Sequence, residues 1–316
     1  MSKTSPMPAH QSHCPLCNRD GRLAFDMPAA IYERRFSVHA CDVCRIGYTY
    51  PFPSDNLLYE IYFGEYWARE SALEKRGLLA WGVQTFNAYR LGIMIRPLVK
   101  KLTAGMTILD VGCGSGQLAV YLQSCGFKVE VNDIDAELLA EIETRHGIRG
   151  YCGDLAEIDF QHQYDAIIFN NVLEHLRAPL PIIESAAGLL KNDGLIFIEV
   201  PNWESTQLQV FKARWYHLAI PQHLYHFSPT GLDGIMQQYA MKRVWFSTFS
   251  PRTSAAGYAA SLRPELQPVR LRQTWSKPKI LLYLTLQLLA LPLVGIESFL
   301  GKGAVVRAMY RKTTPV

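Results

Sequence analysis

The run Ile108-Leu-Asp-Val-Gly-Cys-Gly-Ser-Gly116, answered by Asp133, holds the residue types needed to seat a nucleoside. Gly112, Gly114 and Gly116 lack Cβ atoms, so a ligand can lie against the backbone there. Asp133 is an acceptor-only carboxylate that can hold both vicinal hydroxyls of a ribose. The order D-x-G-x-G-x-G differs from the dinucleotide fingerprint, and no basic residue in the turn faces a pyrophosphate. A nucleoside without phosphates fits this turn better. The bland alternative is a plain strand-to-helix connection, which such a turn also makes.

Cysteines form a second constellation. Cys14-Pro-Leu-Cys17 and Cys41-Asp-Val-Cys44 are C-x2-C pairs with 23 residues between them, a little longer than the usual zinc-ribbon interval. Two such knuckles can place four thiolates tetrahedrally at about 2.3 Å from a Zn2+ ion. That closed shell implies a structural metal rather than one that activates water. Disulfides would need an oxidising compartment and would leave Cys113, Cys125 and Cys152 unpaired. His13 and His39 flank the knuckles as surface or supporting residues.

The elements that must position these groups follow from periodicity. Thr107 to Val111 is an apolar run ending in the glycine turn, and Gln117 to Ser124 has a helical pattern. Lys128 to Asn132 is a strand that delivers Asp133 to the same edge. Tyr164 to Asn170 is a further buried strand. Gly194 to Val200 is another, after a helix through Leu189-Leu190 and a turn at Lys191 to Gly194. Alternating strands and helices imply an α/β fold with a parallel, doubly wound sheet. Its ligand crevice lies outside the strand carboxyl ends, where Asp110, Asp133, Asp154, Asn171 and Pro201-Asn202 converge.

From about Ala104 to Pro201 these residues resemble class I S-adenosylmethionine-dependent methyltransferases. Ile108 to Gly116 is similar to the first motif, Asn132-Asp-Ile-Asp135 to the ribose motif and Gly153-Asp-Leu155 to the adenine motif. Tyr164 to Leu176 looks like the fourth strand and its loop. The resemblance implies a Rossmann-like seven-stranded sheet with the last strand antiparallel, and S-adenosyl-L-methionine as cofactor. It implies that Asp110 lies near the methionine moiety, Asp133 binds ribose, Ile134 packs on adenine and Asp154 accepts from the adenine amine. Gly112, Cys113, Gly114, Gly116, Leu155 and Asn171 complete the cofactor site, with Cys113 as a small packing residue. Asn171 and Glu174-His175 occupy the loop facing cofactor and substrate. A ribbon ahead of such a core also resembles certain deoxysugar C-methyltransferases and some ribosomal RNA methyltransferases. The sugar enzymes usually carry a further C-terminal domain, whereas only about 65 residues follow Ser250 here.

Methyl transfer to a hydroxyl needs an aligned nucleophile and a base for its proton. Trp215-Tyr-His217 and Pro221 to Pro229 gather three of the nine histidines. Imidazole, with an ordinary pKa of about 6.5, suits the task. His223 is the first candidate and His175 the second, each with ordinary packing or hydrogen bonding as its alternative. The H-x-x-H spacing of His223 and His226 lacks an obvious third metal ligand, and His226 is expected to hydrogen-bond at a helix start near Ser228.

The expected organisation is a zinc-ribbon-like domain over residues 1–50, a helical lid or linker over 51–101, and a methyltransferase domain over 102–316. That domain carries a substrate-side insertion near 203–230 and a hydrophobic helix near 277–300. The lid is rich in aromatic rings, mostly for packing, with Tyr62 and Tyr66 as candidates to stack on substrate. Ile280 to Gly295 is almost continuously apolar, with Lys277, Lys279 and Lys302 at its flanks and Gln287, Pro292 and Glu297 as interruptions. If Lys242 to Ser250 and Gly303 to Arg311 pair in one sheet, a single membrane crossing between them is excluded. What remains is packing on the protein's own core, or contact with a partner or a membrane surface.

At 316 residues and 49% hydrophobic composition, the chain can bury a full core. Its net charge of +4 comes from dispersed basic residues and gives nucleic-acid binding little support. Met1 to Ser12 lacks the apolar stretch of a signal peptide, so a cytoplasmic location is expected. The combined expectation is a methyltransferase acting at oxygen on a small-molecule or lipid-linked acceptor, sugar-like or quinone-like. An RNA methyltransferase and a non-catalytic, zinc-containing cofactor-binding module are the alternatives.

Overall fold

The computed structural model describes residues 12–27, 34–61, 78–268, 271 and 276–313, with the side chains of 78–88 left outside the description. The ring candidates Tyr62, Phe63, Tyr66 and Trp67, and the rings of Trp81 and Phe86, lie outside the described residues.

The chain opens with a hairpin sheet of β1 (Arg22–Asp26), β2 (Ser37–Cys41) and β3 (Ile46–Tyr50), followed by helices α1 (Asp55–Glu60) and α2 (Leu78–Val99). Then come β4 (Thr107–Val111), α3 (Gln117–Ser124), β5 (Lys128–Asp133), α4 (Ala136–His146), β6 (Arg149–Cys152) and β7 (Tyr164–Asn170). After a short 3-10 turn over Leu173–His175 follow α5 (Pro179–Leu189), β8 (Leu190–Pro201), α6 (Thr206–Phe211), β9 (Tyr225–Phe227), α7 (Pro229–Gln237) and β10 (Met241–Ser247). Helices α8 (Pro251–Leu262) and α9 (Lys277–Phe299) precede β11 (Val305–Lys312).

Seven strands form one sheet in the order β10-β11-β8-β7-β4-β5-β6. β11 is antiparallel to both its neighbours, and the pairs from β8 to β6 are parallel. The expected doubly wound sheet with its last strand antiparallel is therefore present. The inner strands are apolar on both faces because both are covered. Leu109, Ile167, Ile196 and Ile198 join one core cluster with α5 and α7, while Ile108, Ile168, Leu195 and Phe197 join another with α2, α3 and α4.

The turn expected at Lys191 to Gly194 lies inside β8. Leu190 pairs with Tyr164 and Leu195 with Ala166, so four residues bulge out between two ladder positions, with Asp193 left-handed at φ 59°. β8 thus begins earlier than its apolar run.

The N-terminal β1–β3 segment, which we call the ribbon for its two C-x2-C pairs, is continuous with the rest of the protein. Its sheet has the order β1-β2-β3-β9, with Ile46 opposite Phe227 and Tyr48 opposite Tyr225. Cys14, Cys41, Ile46 and Tyr48 belong to the same buried cluster as Leu109 and Ile198 of the large sheet. A small hairpin unit buries too little surface for an independent core, and here it shares the larger one.

Candidate functional site

The glycine turn leaves β4 with Gly112, Gly114 and Gly116 all at positive φ. A Cβ on Gly112 would sit 2.7 Å from Val172, and one on Gly116 would sit 2.8 Å from Ile142. Both steric room and backbone conformation therefore demand glycine at these two positions. The Gly114 amide donates to Asp133 Oδ2 at 3.0 Å, and the Asp135 amide donates to Oδ1 at 3.2 Å. The carboxylate is thereby fixed beside the turn.

Asp110 is buried, with Oδ2 lacking a protein partner. Burial first, and the Asp133 charge second, push its carboxyl up to about 7. Burial also pushes up the Asp133 carboxyl and the Cys113 thiol, so Cys113 stays protonated and acts as a packing group. Ile134 is 61% exposed at the end of β5, an apolar side chain held out where a flat ring can lie. Asp154 is exposed, with Oδ1 accepting from the Ala156 amide at 2.8 Å. Leu155 turns its side chain into the core and can offer a ligand only backbone. Asn132 was missed as a supporting residue: its side-chain amide donates to the carbonyls of Tyr151 and Gly153, tying the β5 and β6 ends together.

A second cluster stands close by, since Val172 touches the turn and Glu174 follows two residues later. Ligand atoms of Glu174, His175 and His223 all lie within 4.8 Å of one another. His223 Nδ1 is 2.9 Å from the His217 carbonyl, and His175 Nδ1 is 3.1 Å from the Gln222 carbonyl. A carbonyl can only accept, so both Nδ1 atoms carry hydrogen, and a ring neutral in that tautomer accepts a proton at Nε2. Burial lowers both imidazoles, His175 to about 4 and His223 well below its ordinary value, with the neighbouring histidines adding to the His223 shift. Burial raises Glu174 to about 8, and neither of its carboxyl oxygens has a protein partner. One carboxyl and two neutral imidazoles can pass a proton or hold a divalent cation.

His226 corrects the expectation of a helix-start hydrogen bond. Both its ring nitrogens lack protein partners, and the ring stacks on Trp203 with centroids 5.5 Å apart. Ser228 caps α7 alone, accepting from the Gly231 amide at 2.9 Å. β9 sets His226 against the Trp203 and His223 rings instead.

The histidine segment is held from two sides. The Leu224 amide donates to the Glu174 carbonyl at 2.7 Å. From the ribbon, the Thr49 hydroxyl donates to the His223 carbonyl at 2.6 Å and the Thr49 amide to the Leu224 carbonyl at 2.9 Å.

Glu199 and Arg307 are also buried here, with Arg307 Nε 3.0 Å from Glu199 Oε2. Asn171, left-handed at φ 55°, donates its amide to the Glu199 carbonyl, and its side chain hydrogen-bonds the Glu199 carboxylate. The sequence signal for this pair was a charge set among apolar residues in each of two strands.

In the ribbon, Cys14 and Cys44 have Sγ atoms 4.0 Å apart, and Cys17 and Cys41 3.6 Å apart. All four sulfurs lie within 4.8 Å of one another. A Zn–S bond of about 2.3 Å gives a tetrahedral edge of about 3.8 Å, so the set fits a tetrahedral ion. The residue after each knuckle, Asn18 and Arg45, is left-handed at φ 57°, which folds the chain back around the sulfurs. Burial pushes the Cys14 and Cys44 thiols up, and a cation bound among the sulfurs would favour their thiolate forms. His13 pairs with Asp20 on the surface, and His39 is buried against Ser12 and Ser37.

Comparison with known proteins places this site in context. The ubiquinone biosynthesis O-methyltransferase of Xanthomonas oryzae pv. oryzae is 28% identical over 138 residues, 39% of this chain and 56% of that protein. Its counterpart in Hydrogenovibrio crunogenus is 28% identical over 145 residues, 42% of this chain and 60% of that protein. The chain thus spans little more than half the length of these curated relatives. Among solved structures, Burkholderia thailandensis 1,6-didemethyltoxoflavin-N1-methyltransferase is 14% identical with a TM-score of 0.49, covering 92% of this chain and 100% of that one. Magnesium protoporphyrin IX methyltransferase from Synechocystis PCC 6803 is 17% identical with a TM-score of 0.48, covering 61% and 92%. A family model described as a methyltransferase domain matches residues 83–241, half of the chain, and the chain belongs to that family.

Proposed function

We propose that this protein methylates an oxygen of a small, quinone-like or lipid-linked acceptor, using S-adenosyl-L-methionine, in the cytoplasm at a membrane surface. The observation that carries the reading is the adjacency of two sites: a glycine-lined turn with an acidic edge, and a buried cluster of two neutral imidazoles and a carboxyl. The names of the ubiquinone-biosynthesis O-methyltransferase relatives support oxygen as the methylated atom and a quinone-like acceptor.

The cofactor would supply an electrophilic methyl group. Asp133 would hold its ribose, Ile134 its adenine face, and Asp110, Gly112, Cys113, Gly114, Gly116, Asp154, Leu155 and Asn171 would complete its seat. His223 takes the acceptor proton at Nε2 while its Nδ1 stays bound to the His217 carbonyl. His175 is the second base, and the Glu174 carboxyl, kept protonated by burial, would serve as a proton relay beside the two imidazoles. The Cys14, Cys17, Cys41 and Cys44 thiolates would hold a structural Zn2+, making β2 and β3 a buttress for the histidine segment.

The test is label transfer from methyl-labelled cofactor to demethylated hydroxyquinone and lipid-linked hydroxyl acceptors. His223→Gln should lower turnover about 10²-fold or more, the usual span for a general base, with cofactor affinity unchanged. Cofactor binding without transfer to any hydroxyl acceptor would refute the catalytic reading, and full turnover in His223→Gln would refute the assignment of the base.

A further inference from the structure

Helix α9 is largely uncovered along its length. Of its most apolar stretch only 17% is buried, and no charged residue stands between Lys279 and Glu297. Its seam against the protein is narrow: Ala290, Val294 and Glu297 face Ala255 and Tyr258 of α8. The opposite side exposes Leu281, Leu284, Leu288, Leu289, Leu293 and Ile296. At about 100° per residue these six side chains sweep about 180° of the helix. With Phe299, which is 91% exposed, and its neighbours, the bare apolar surface is on the order of 1,000 Å², above the few hundred Å² usual for a soluble monomer.

The sheet decides how such a helix can meet lipid. β10 and β11 are paired in the same sheet, so the chain leaves and returns on one side. The Thr248 and Ser298 side chains each hydrogen-bond to the other residue's carbonyl at 3.3 Å, closing the base of an α8–α9 hairpin. α8 has 12 residues, about 18 Å, too short to cross a hydrocarbon core of about 30 Å. The hairpin therefore cannot span a bilayer.

We propose that the α8–α9 hairpin seats the protein on an anionic lipid bilayer, with α9 lying in the interface. The wide arc favours lipid over a second protein surface, because one partner helix covers a stripe nearer 100° whereas fluid chains wet any curvature. Among the described residues, exposed cations on the hairpin include Arg252 at the start of α8 and Lys277 at the start of α9, and they suit anionic headgroups.

The same hairpin touches the acceptor loop. His217 Nε2 hydrogen-bonds the Thr253 carbonyl of α8 at 3.2 Å, and His217 in turn accepts from His223. A Cβ on Gly257 of α8 would lie 2.7 Å from His217. The histidine loop is thereby placed next to the bilayer-facing hairpin, and delivery of a lipid-borne acceptor to it rests on the methyl-transfer reading above.

Flotation of the full chain with phosphatidylcholine vesicles, with and without phosphatidylglycerol, tests the seat itself. Most of the protein should rise with the mixed vesicles and less with the neutral ones. The combined exposed-face variant Leu284→Gln, Leu288→Gln and Leu293→Gln should stay at the bottom while keeping its cofactor affinity. Failure of the unmodified chain to float, or equal flotation of the variant, would overturn the proposal. So would a stable dimer, abolished by those substitutions, in place of vesicle binding. Flotation without methyl transfer would leave the seat standing and remove only the enzymatic reading.

Discussion

Replacing Thr49 by valine removes the one side-chain bond that the ribbon sheet makes to the His223 backbone. The hydroxyl donates at 2.6 Å to a carbonyl in a buried segment, while the Thr49 amide still binds the Leu224 carbonyl. Leaving that carbonyl without a donor costs about 1–3 kcal/mol. The segment can recover part of this by shifting toward another donor, and His223 shifts with it. A misplacement of about 1 Å costs about 10²-fold in rate. We expect kcat to fall between about tenfold and 10²-fold, with cofactor affinity unchanged because Gly114 and Asp133 form a separate contact. Thr49→Ser, which keeps the hydroxyl, should restore most of the rate. Stopped assays of kcat and KM, with calorimetry for the cofactor and a melting curve for each variant, separate the possibilities. A folded Thr49→Val protein with turnover within about twofold of the parent would refute the clamp.

Glu174 gives a pH prediction. Its carboxyl is raised by burial to about 8, so its stabilising contribution is complete below the ordinary carboxylate range and is lost as pH rises through about 8. Glu174→Gln should flatten the fall in melting temperature between about pH 5 and pH 9, and parallel melting curves for the two proteins would contradict this. Cys41→Ser should lower bound zinc from one ion per chain, read by elemental analysis, and reduce turnover more than cofactor affinity, because β3 carries Thr49. Unchanged metal content in that variant would remove Cys41 from the ligand set.

Much of the large sheet was legible because its strands are apolar runs ended by glycine or acidic turns, and their two faces alternate between two helical layers. The glycine turn and Asp133 were legible for the same reason, since φ and side-chain absence are local properties. The β8 bulge was not, because ladder pairing pulls Leu190 into register with Tyr164 despite the turn residues that follow. The pairing of β3 with β9 escaped notice as well. Its three strand residues, Tyr225-His-Phe227, show no clear alternation, and the edge that they complete is set by tertiary packing. The same non-local contact explains why Thr49 gave no signal as a positioning residue. Glu199 and Arg307 meet only because β11 inserts beside β8.

Strand order also bears on synthesis. The outer edge of β3 waits about 180 residues for its mate, and β8 and β10 stay separated until β11 emerges to fill the slot between them. A nascent polypeptide of this design carries two open ladders at once, with the greasy α9 already outside the ribosome before the second one closes. Expression yield should thus depend on chaperones or nearby lipid during that interval, and less on how stable the finished molecule is.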